Sequence, residues 1–155
     1  VIRAELSRGL PAEGRRKEDG ARIRVQQDFL GIKPLAGGRV KRPLDDLSLA
    51  EISDHTAYHE LLACEALGFC APGKSGDLLR DGVTAWGGEL PVNPSGGCLS
   101  AFPVFSAGLT RAVEACLQVS GRAGARQVAN ARMALSHGCM GFAGQTHCVS
   151  IFQSE

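Results

Sequence analysis

Between Pro91 and Leu99 the chain reads Pro91-Val92-Asn93-Pro94-Ser95-Gly96-Gly97-Cys98-Leu99. Two adjacent glycines stand between a proline-initiated turn and the start of a helical pattern. Glycine reaches φ > 0 without strain and lets another group come close to the main chain. The segment is therefore read as a loop where backbone meets a ligand or a tightly packed neighbour. Either use requires the missing side chains of Gly96 and Gly97.

The stretches around this loop set the organisation. Residues 56–67 are predicted to be a helix, with Tyr58, Leu61, Leu62 and Ala66 recurring at helical spacing and Gly68 as the stop. Residues 105–119 are predicted to be a second helix. Its apolar face is read as Phe105, Leu109, Ala112, Val113, Cys116 and Leu117, with Gly121 behind it. Residues 132–136 and 146–152 read as short strands, separated by a turn punctuated by Gly138, Gly141 and Gly144. Residues 47–52 suggest a strand or turn, 22–30 a short helix, and 31–43 a connection. Residues 1–21 read as irregular, and 70–91 as a glycine-rich loop in which Trp86 serves as an aromatic anchor.

A chain of 155 residues is one domain by size, able to bury about 70% of its unfolded surface. It is expected to divide into a charged, loop-rich segment, residues 1–44, and a folded domain, residues 45–155. The net charge of +1 hides an asymmetry. Eleven of the 17 Lys and Arg precede Pro43, against five acids there. Basic residues can meet phosphates, but this stretch has few aromatics and no nucleic-acid motif, so no nucleic-acid partner is expected. No apolar run approaches the ~18 residues of a membrane span, and a cytoplasmic location is expected. The six cysteines are read as reduced thiols. Together with the four histidines they fit no usual metal-ligand spacing, so no metal and no bound cofactor are expected.

Four blocks, in order over roughly residues 45–153, resemble the thiolase superfamily. Glu51-Ile52-Ser53-Asp54-His55-Thr56 resembles its Glu-(Ile/Val)-His-Asp-(Ala/Cys)-Phe motif. Glu60-Leu61-Leu62-Ala63-Cys64-Glu65-Ala66-Leu67-Gly68-Phe69-Cys70 is similar to the helix that follows, most of all in the sterol-carrier or lipid-transfer branch. Val92-Asn93-Pro94-Ser95-Gly96-Gly97 resembles the Val-Asn-Pro-x-Gly-Gly loop, and Cys139-Met140-Gly141 fits Cys-x-Gly. The resemblance is to the C-terminal half of a thiolase. It implies a layered α/β domain with a mixed sheet and helices on both faces.

The resemblance also implies acyl transfer on a coenzyme A thioester, which is a substrate and not a bound cofactor. A nucleophilic cysteine of the family's N-terminal half has no counterpart here. The Gly-His-Pro motif aligns with Ala101-Phe102-Pro103, so Phe102 stands where a histidine activates that nucleophile. Ser53 stands at the His of the His-Asp-Cys-Phe motif, and His55 at its Cys. The catalytic candidates are accordingly Cys139, as the acid/base thiol, His55, as a proton carrier, and Tyr58, whose phenol can donate to a carbonyl or enolate oxygen. Each has a plainer reading as well: a small residue in a tight turn, a loop-capping imidazole, and a half-buried tyrosine. Ser53, Asn93, Gly96, Gly97, Phe102 and Gly141 are the candidate substrate-binding residues.

The implied partners are acyl-CoA, a second copy or the missing N-terminal half, and a small OB-fold protein. Two other functions stay open beside acyl transfer: a non-catalytic acyl-CoA-binding or interaction module, and an aldolase subunit acting on a CoA thioester. An isolated half is expected to expose an apolar face.

Overall fold

The computed structural model of the chain describes residues 4–6, 23–28, 46–100, 104–141, 144 and 146–154. Five strands form one mixed sheet: β1 (Ala4–Leu6), β2 (Ile23–Asp28), β3 (Leu49–Glu51), β4 (Met133–Met140) and β5 (Thr146–Ser154), in spatial order β1-β2-β5-β4-β3. β5 runs antiparallel to β2 and β4, whereas β1 is parallel to β2 and β3 is parallel to β4. Parallel neighbours need a long crossover. The one between β3 and β4 carries, among the described residues, four α-helices: α1 (Ala57–Ala66), α2 (Ser75–Arg80), α3 (Gly97–Ser100) and α4 (Ala107–Val119).

Successive strand residues point to opposite faces, so each face of the sheet has its own core. On one face Ala50, Ile52, Leu135 and Val149 pack with Ala63 and Cys64 of α1. On the other, Leu49, Ala134 and Phe152 pack with Ala115 and Val119 of α4. The layered α/β architecture with helices on both faces is the expected one. Helix α4 approaches the sheet tightly at Gly108 and Gly138: a Cβ built on Gly138 would stand 3.2 Å from Gly108 Cα.

The helix ends follow from local chemistry. Thr56 caps α1, its Oγ1 accepting from His59 N–H at 3.1 Å. After α1, Gly68 N–H donates to Glu65 O and Phe69 N–H to Cys64 O; after α4, Gly121 N–H donates to Gln118 O and Arg122 N–H to Leu117 O. Both ends are Schellman caps with glycine at positive φ, 81° for Gly68 and 69° for Gly121.

Several expectations are corrected. Within residues 22–30, read as a helix, the described residues are not helical. Ile23–Asp28 is strand β2, because β5 offers it a full ladder and tertiary pairing overrides local preference. Residues 1–21, read as irregular, contain β1. The 70–91 loop holds the short helix α2. Its glycines Gly73 and Gly82 mark the helix ends, and Asp77 pairs with Lys74 at 3.0 Å and Arg80 at 2.9 Å. Trp86, read as the anchor of this loop, is 58% exposed. β4 runs on through Met140, so Gly138 and Cys139 lie in a strand and not in the turn.

The helix faces are also corrected. Tyr58, Leu62 and Ala66 of α1 are exposed, and the buried residues are Ala63 and Cys64. In the predicted 105–119 helix, Phe105 is fully exposed in a 3₁₀ turn ahead of α4, and Leu109 and Val113 also face outward. The buried side of α4 is Ala107, Arg111, Glu114, Ala115, Gln118 and Val119. Each of the three long polar residues has a partner there. Gln118 Nε2 donates to Arg126 O at 2.6 Å, and Arg126 Nη2 pairs with Glu114 Oε2 at 2.9 Å. A buried polar group that is hydrogen-bonded costs little, so polarity alone does not place a residue outside. Among the described residues no helix is long and apolar enough to cross a membrane.

Candidate functional site

The run from the end of β3 onward organises the site. Glu51, Ile52, Ser53 and Asp54 are all at most 1% exposed. Its polar side chains are held in two directions, one toward α4 and one toward α1.

On the α4 side the partners are fixed. Asp54 accepts from Cys98 N–H at 2.9 Å and pairs with Arg111 Nη2 at 2.5 Å. Arg111 also donates through Nε to Ile52 O at 2.6 Å, through Nη1 to Ala107 O at 2.9 Å and through Nη2 to Cys98 Sγ at 2.9 Å. The guanidinium, 3% exposed, thus meets a carboxylate, two carbonyls and a sulfur. A buried ion pair holds only when its remaining donors are satisfied in this way. Burial of the Cys98 thiol pushes its pKa up, against the pull of Arg111.

This geometry explains the paired glycines. Gly97 has φ 59°, and a Cβ on it would overlap Asp54 Oδ2. Its lack of a side chain serves the carboxylate of the chain itself. Gly96, φ 92°, lies in the exposed turn. Asn93, φ 51°, is another left-handed position. It ties the loop down: Oδ1 accepts from Ile52 N–H at 2.7 Å, Nδ2 donates to Glu60 Oε2 at 3.0 Å, and its N–H donates to Ala50 O at 2.8 Å. Glu51 accepts from Ser95 N–H at 3.0 Å and Ser95 Oγ–H at 2.6 Å. Burial raises the Glu51 pKa to about 7, outweighing these two hydrogen bonds, which lower it.

On the α1 side the groups are polar, sulfur-centred and partly open. Gly138 faces α4, so its neighbour Cys139 faces the other way. Cys139 Sγ lies 3.1 Å from Ser53 Oγ, 3.7 Å from His55 Nδ1 and 4.0 Å from His59 Nε2. Behind them Ser53 N–H donates to His137 Nδ1 at 3.4 Å, and His137 Nε2 is 2.9 Å from His147 Nδ1, the two rings being stacked. Burial, followed by the charge of His147, lowers the His137 pKa to about 4. The ring is neutral at neutral pH. Its Nδ1 accepts, so its proton sits on Nε2 and points at His147. Burial and then the neighbouring His59 lower the pKa of His55, which favours its neutral form as well.

Of the sequence candidates, Ser53, His55 and Cys139 are brought together, and Gly141, φ 94°, forms the bend just after β4. Gly97 lies against Asp54, next to Ser53, so the cysteine strand and the double-glycine loop meet at one segment. Tyr58 stands in the first turn of α1 with its side chain 69% exposed, and its hydroxyl makes no hydrogen bond among the described residues. Phe102 lies outside the described residues. The sequence reading passed over Glu51, Asp54 and Arg111, and it weighed His59 only as one histidine among four. The first two stand in the quoted Glu51–Thr56 block, and their place at the end of an otherwise apolar run was the available signal.

Three of these residues can also hold a metal. One ligand atom each from His55, His59 and Cys139 lies within 4.8 Å of the others. Sequence spacing could not show this, because Cys139 is 84 residues from His55.

Comparison with known proteins adds the family. Residues 36–154 match the family described as thiolase C-terminal domain-like. Sterol carrier protein 2 of Oryctolagus cuniculus is 43% identical over 93 residues, which is 59% of this chain and 17% of that protein. An acetyl-CoA acetyltransferase of Methanothermobacter thermautotrophicus is 39% identical over 108 residues, 69% of this chain and 28% of that one. A solved structure of the Ltp2-ChsH2(DUF35) aldolase superposes with a TM-score of 0.62 at 28% identity, over 71% of this chain and 27% of its own. The chain therefore spans less than a third of the length of each of these relatives. It belongs to the thiolase C-terminal domain-like family.

Proposed function

We propose that the chain is the C-terminal module of a thiolase-type enzyme acting on a CoA thioester, with Cys139 as the thiol that moves a proton at the carbon beside the thioester carbonyl. The observation that carries this reading is the convergence of Ser53 Oγ and His55 Nδ1 on Cys139 Sγ, at 3.1 and 3.7 Å. A thiol needs a neighbouring base to become a proton acceptor, and a neutral imidazole is one. His55 takes the thiol proton, Ser53 donates to the sulfur, and the thiolate draws the substrate proton. The electron pair left on carbon delocalises onto the carbonyl oxygen.

The first nucleophile and the rest of the acyl site belong, on this reading, to the larger part of the enzyme that the longer relatives carry. The outward row Phe105, Leu109 and Val113 is the surface offered to that part, whether joined in one chain or in a second subunit. A second reading, carbon–carbon cleavage of aldol type with a small partner protein, is favoured by Phe102 at the position of the activating histidine. A solved relative named as a DUF35-containing aldolase also favours it. Thiolysis and retro-aldol cleavage of acyl-CoA substrates, assayed on the assembled enzyme, separate the two. Cys139→Ala is expected to lower whichever activity is present about 10²–10⁴-fold. Unchanged turnover in the double variant Cys139→Ala, His55→Ala would remove the site, and calorimetric acyl-CoA binding without any turnover would leave a binding module.

A further inference from the structure

The same face of the sheet carries a second use of these residues that does not depend on the acyl-transfer reading. We infer that His55 Nδ1, His59 Nε2 and Cys139 Sγ form a binding site for a borderline-soft divalent ion of the zinc class. The three ligand atoms come from three places: the segment after β3, the first turn of α1 and the end of β4. Sγ stands 3.7 and 4.0 Å from the two nitrogens, and all three atoms lie within 4.8 Å of one another. A tetrahedral zinc with ligands at 2.0–2.3 Å spaces its ligand atoms about 3.4–3.6 Å apart. The observed triangle is somewhat wider. All three side chains are only partly buried, so their χ angles can close the gap.

The donor set fits the ion class. Imidazole with thiolate selects zinc-like ions over calcium or magnesium, which take oxygen. Second-sphere support is present. Ser53 Oγ, 3.1 Å from Sγ, can donate to a bound thiolate, and Thr56 Oγ1 and the α1 cap fix the backbone of His59. Gly144 leaves room beside His59: a Cβ there would stand 3.8 Å from Nε2. Among the described residues no fourth His, Cys or carboxylate joins the group. Three protein ligands leave the fourth position of a tetrahedral ion to water or to a substrate atom, as in catalytic zinc sites. A bound ion holds Cys139 as thiolate and removes it from proton transfer, so metal binding and the acid/base use of this sulfur exclude each other.

Cobalt titration of the full chain under reducing, anaerobic conditions tests the site without any assay of turnover. One equivalent of Co2+ is expected to give tetrahedral ligand-field bands and a near-ultraviolet thiolate-to-cobalt band, both displaced by Zn2+. Cys139→Ala should abolish the thiolate band. His59→Gln should weaken binding at least ten-fold while the far-ultraviolet circular dichroism is unchanged. Cobalt bands that persist in both variants would place the ion on other cysteines and overturn the assignment, as would the absence of bands in the unaltered chain. Should a variant misfold, alkylation mapping of the unaltered chain decides. Zn2+ should protect Cys139 from iodoacetamide, and equal labelling of Cys139 with and without Zn2+ would also overturn the site. Failure here leaves the acid/base reading standing, and loss of turnover in Cys139→Ala leaves the metal site standing.

Discussion

The two sides of the segment after β3 differ in kind. Toward α4, Asp54, Arg111, Cys98 and Gly97 form a dry set in which the ion pair and its neighbours are satisfied by fixed partners. Toward α1, the partly exposed His55, His59 and Cys139 meet at 3.7 and 4.0 Å, with the buried Ser53 Oγ 3.1 Å from the sulfur. A group that is fully paired and buried has no capacity left for a substrate, whereas a partly exposed thiol beside the His55 imidazole, whose neutral form is favoured, has. The comparison separates the residues that hold the fold from those that can do chemistry, although Asp54 of the first kind sits between Ser53 and His55 of the second.

Breaking the dry side should cost the most stability. Arg111→Leu strands the Asp54 carboxylate in the interior, and a loss of about 3–5 kcal/mol is expected in urea unfolding. A loss below 1 kcal/mol would mean that water reaches Asp54. Gly97→Ala brings a left-handed alanine and an overlap with Asp54 Oδ2. Strain and overpacking together predict about 2–4 kcal/mol, and the same denaturant measurement reads it.

Glu51 gives the comparison a pH axis. Its carboxyl has a raised pKa, about 7 in the fold against the ordinary 4.5. Between those values the folded state binds more protons than the unfolded one, so this group's contribution to stability falls as pH rises from 4.5 through 7. Glu51→Gln keeps the neutral shape. It should match the parent near pH 4 and exceed it by up to about 3 kcal/mol at pH 8. Equal stability of the two at pH 8 would show that the carboxyl ionises freely in place.

The smallest effect on stability belongs to the open side. Cys139→Ala should change unfolding free energy by less than about 1 kcal/mol, because it removes a partly exposed sulfur whose contacts to the two imidazoles are long. The same change should remove both the turnover and the metal signal. A large destabilisation would move Cys139 from the chemical side to the structural one.

Much of this was legible in the sequence where the cause is local. The stops at Gly68 and Gly121 follow from the left-handed cap, and Thr56 before Ala57 is a plain N-cap. The glycine pair was legible as a close approach, but the approaching group, Asp54, lies 44 residues from Cys98 and could not be named. The face of α4 was misread for a physical reason. Helical periodicity assigns apolar residues inward on the premise that water covers the other side. Arg111, Glu114 and Gln118 instead find partners at Ile52, Arg126 and Val128, which only the fold supplies. Likewise, the sulfur and its two imidazoles converge because β4 lies beside β3 and α1, a pairing with no trace in linear spacing.

One consequence follows from the bare contact between Gly108 and Gly138. With no side chain on either, the helix seats flush on the strand one residue before the cysteine. The height of the sulfur above the sheet is thereby gauged from the same plane that seats Arg111, three residues further along the helix. The two chemically opposed sides share one datum, so a single methyl group added at Gly138, 3.2 Å from Gly108 Cα, would press on the carboxylate clamp and the thiol in one movement.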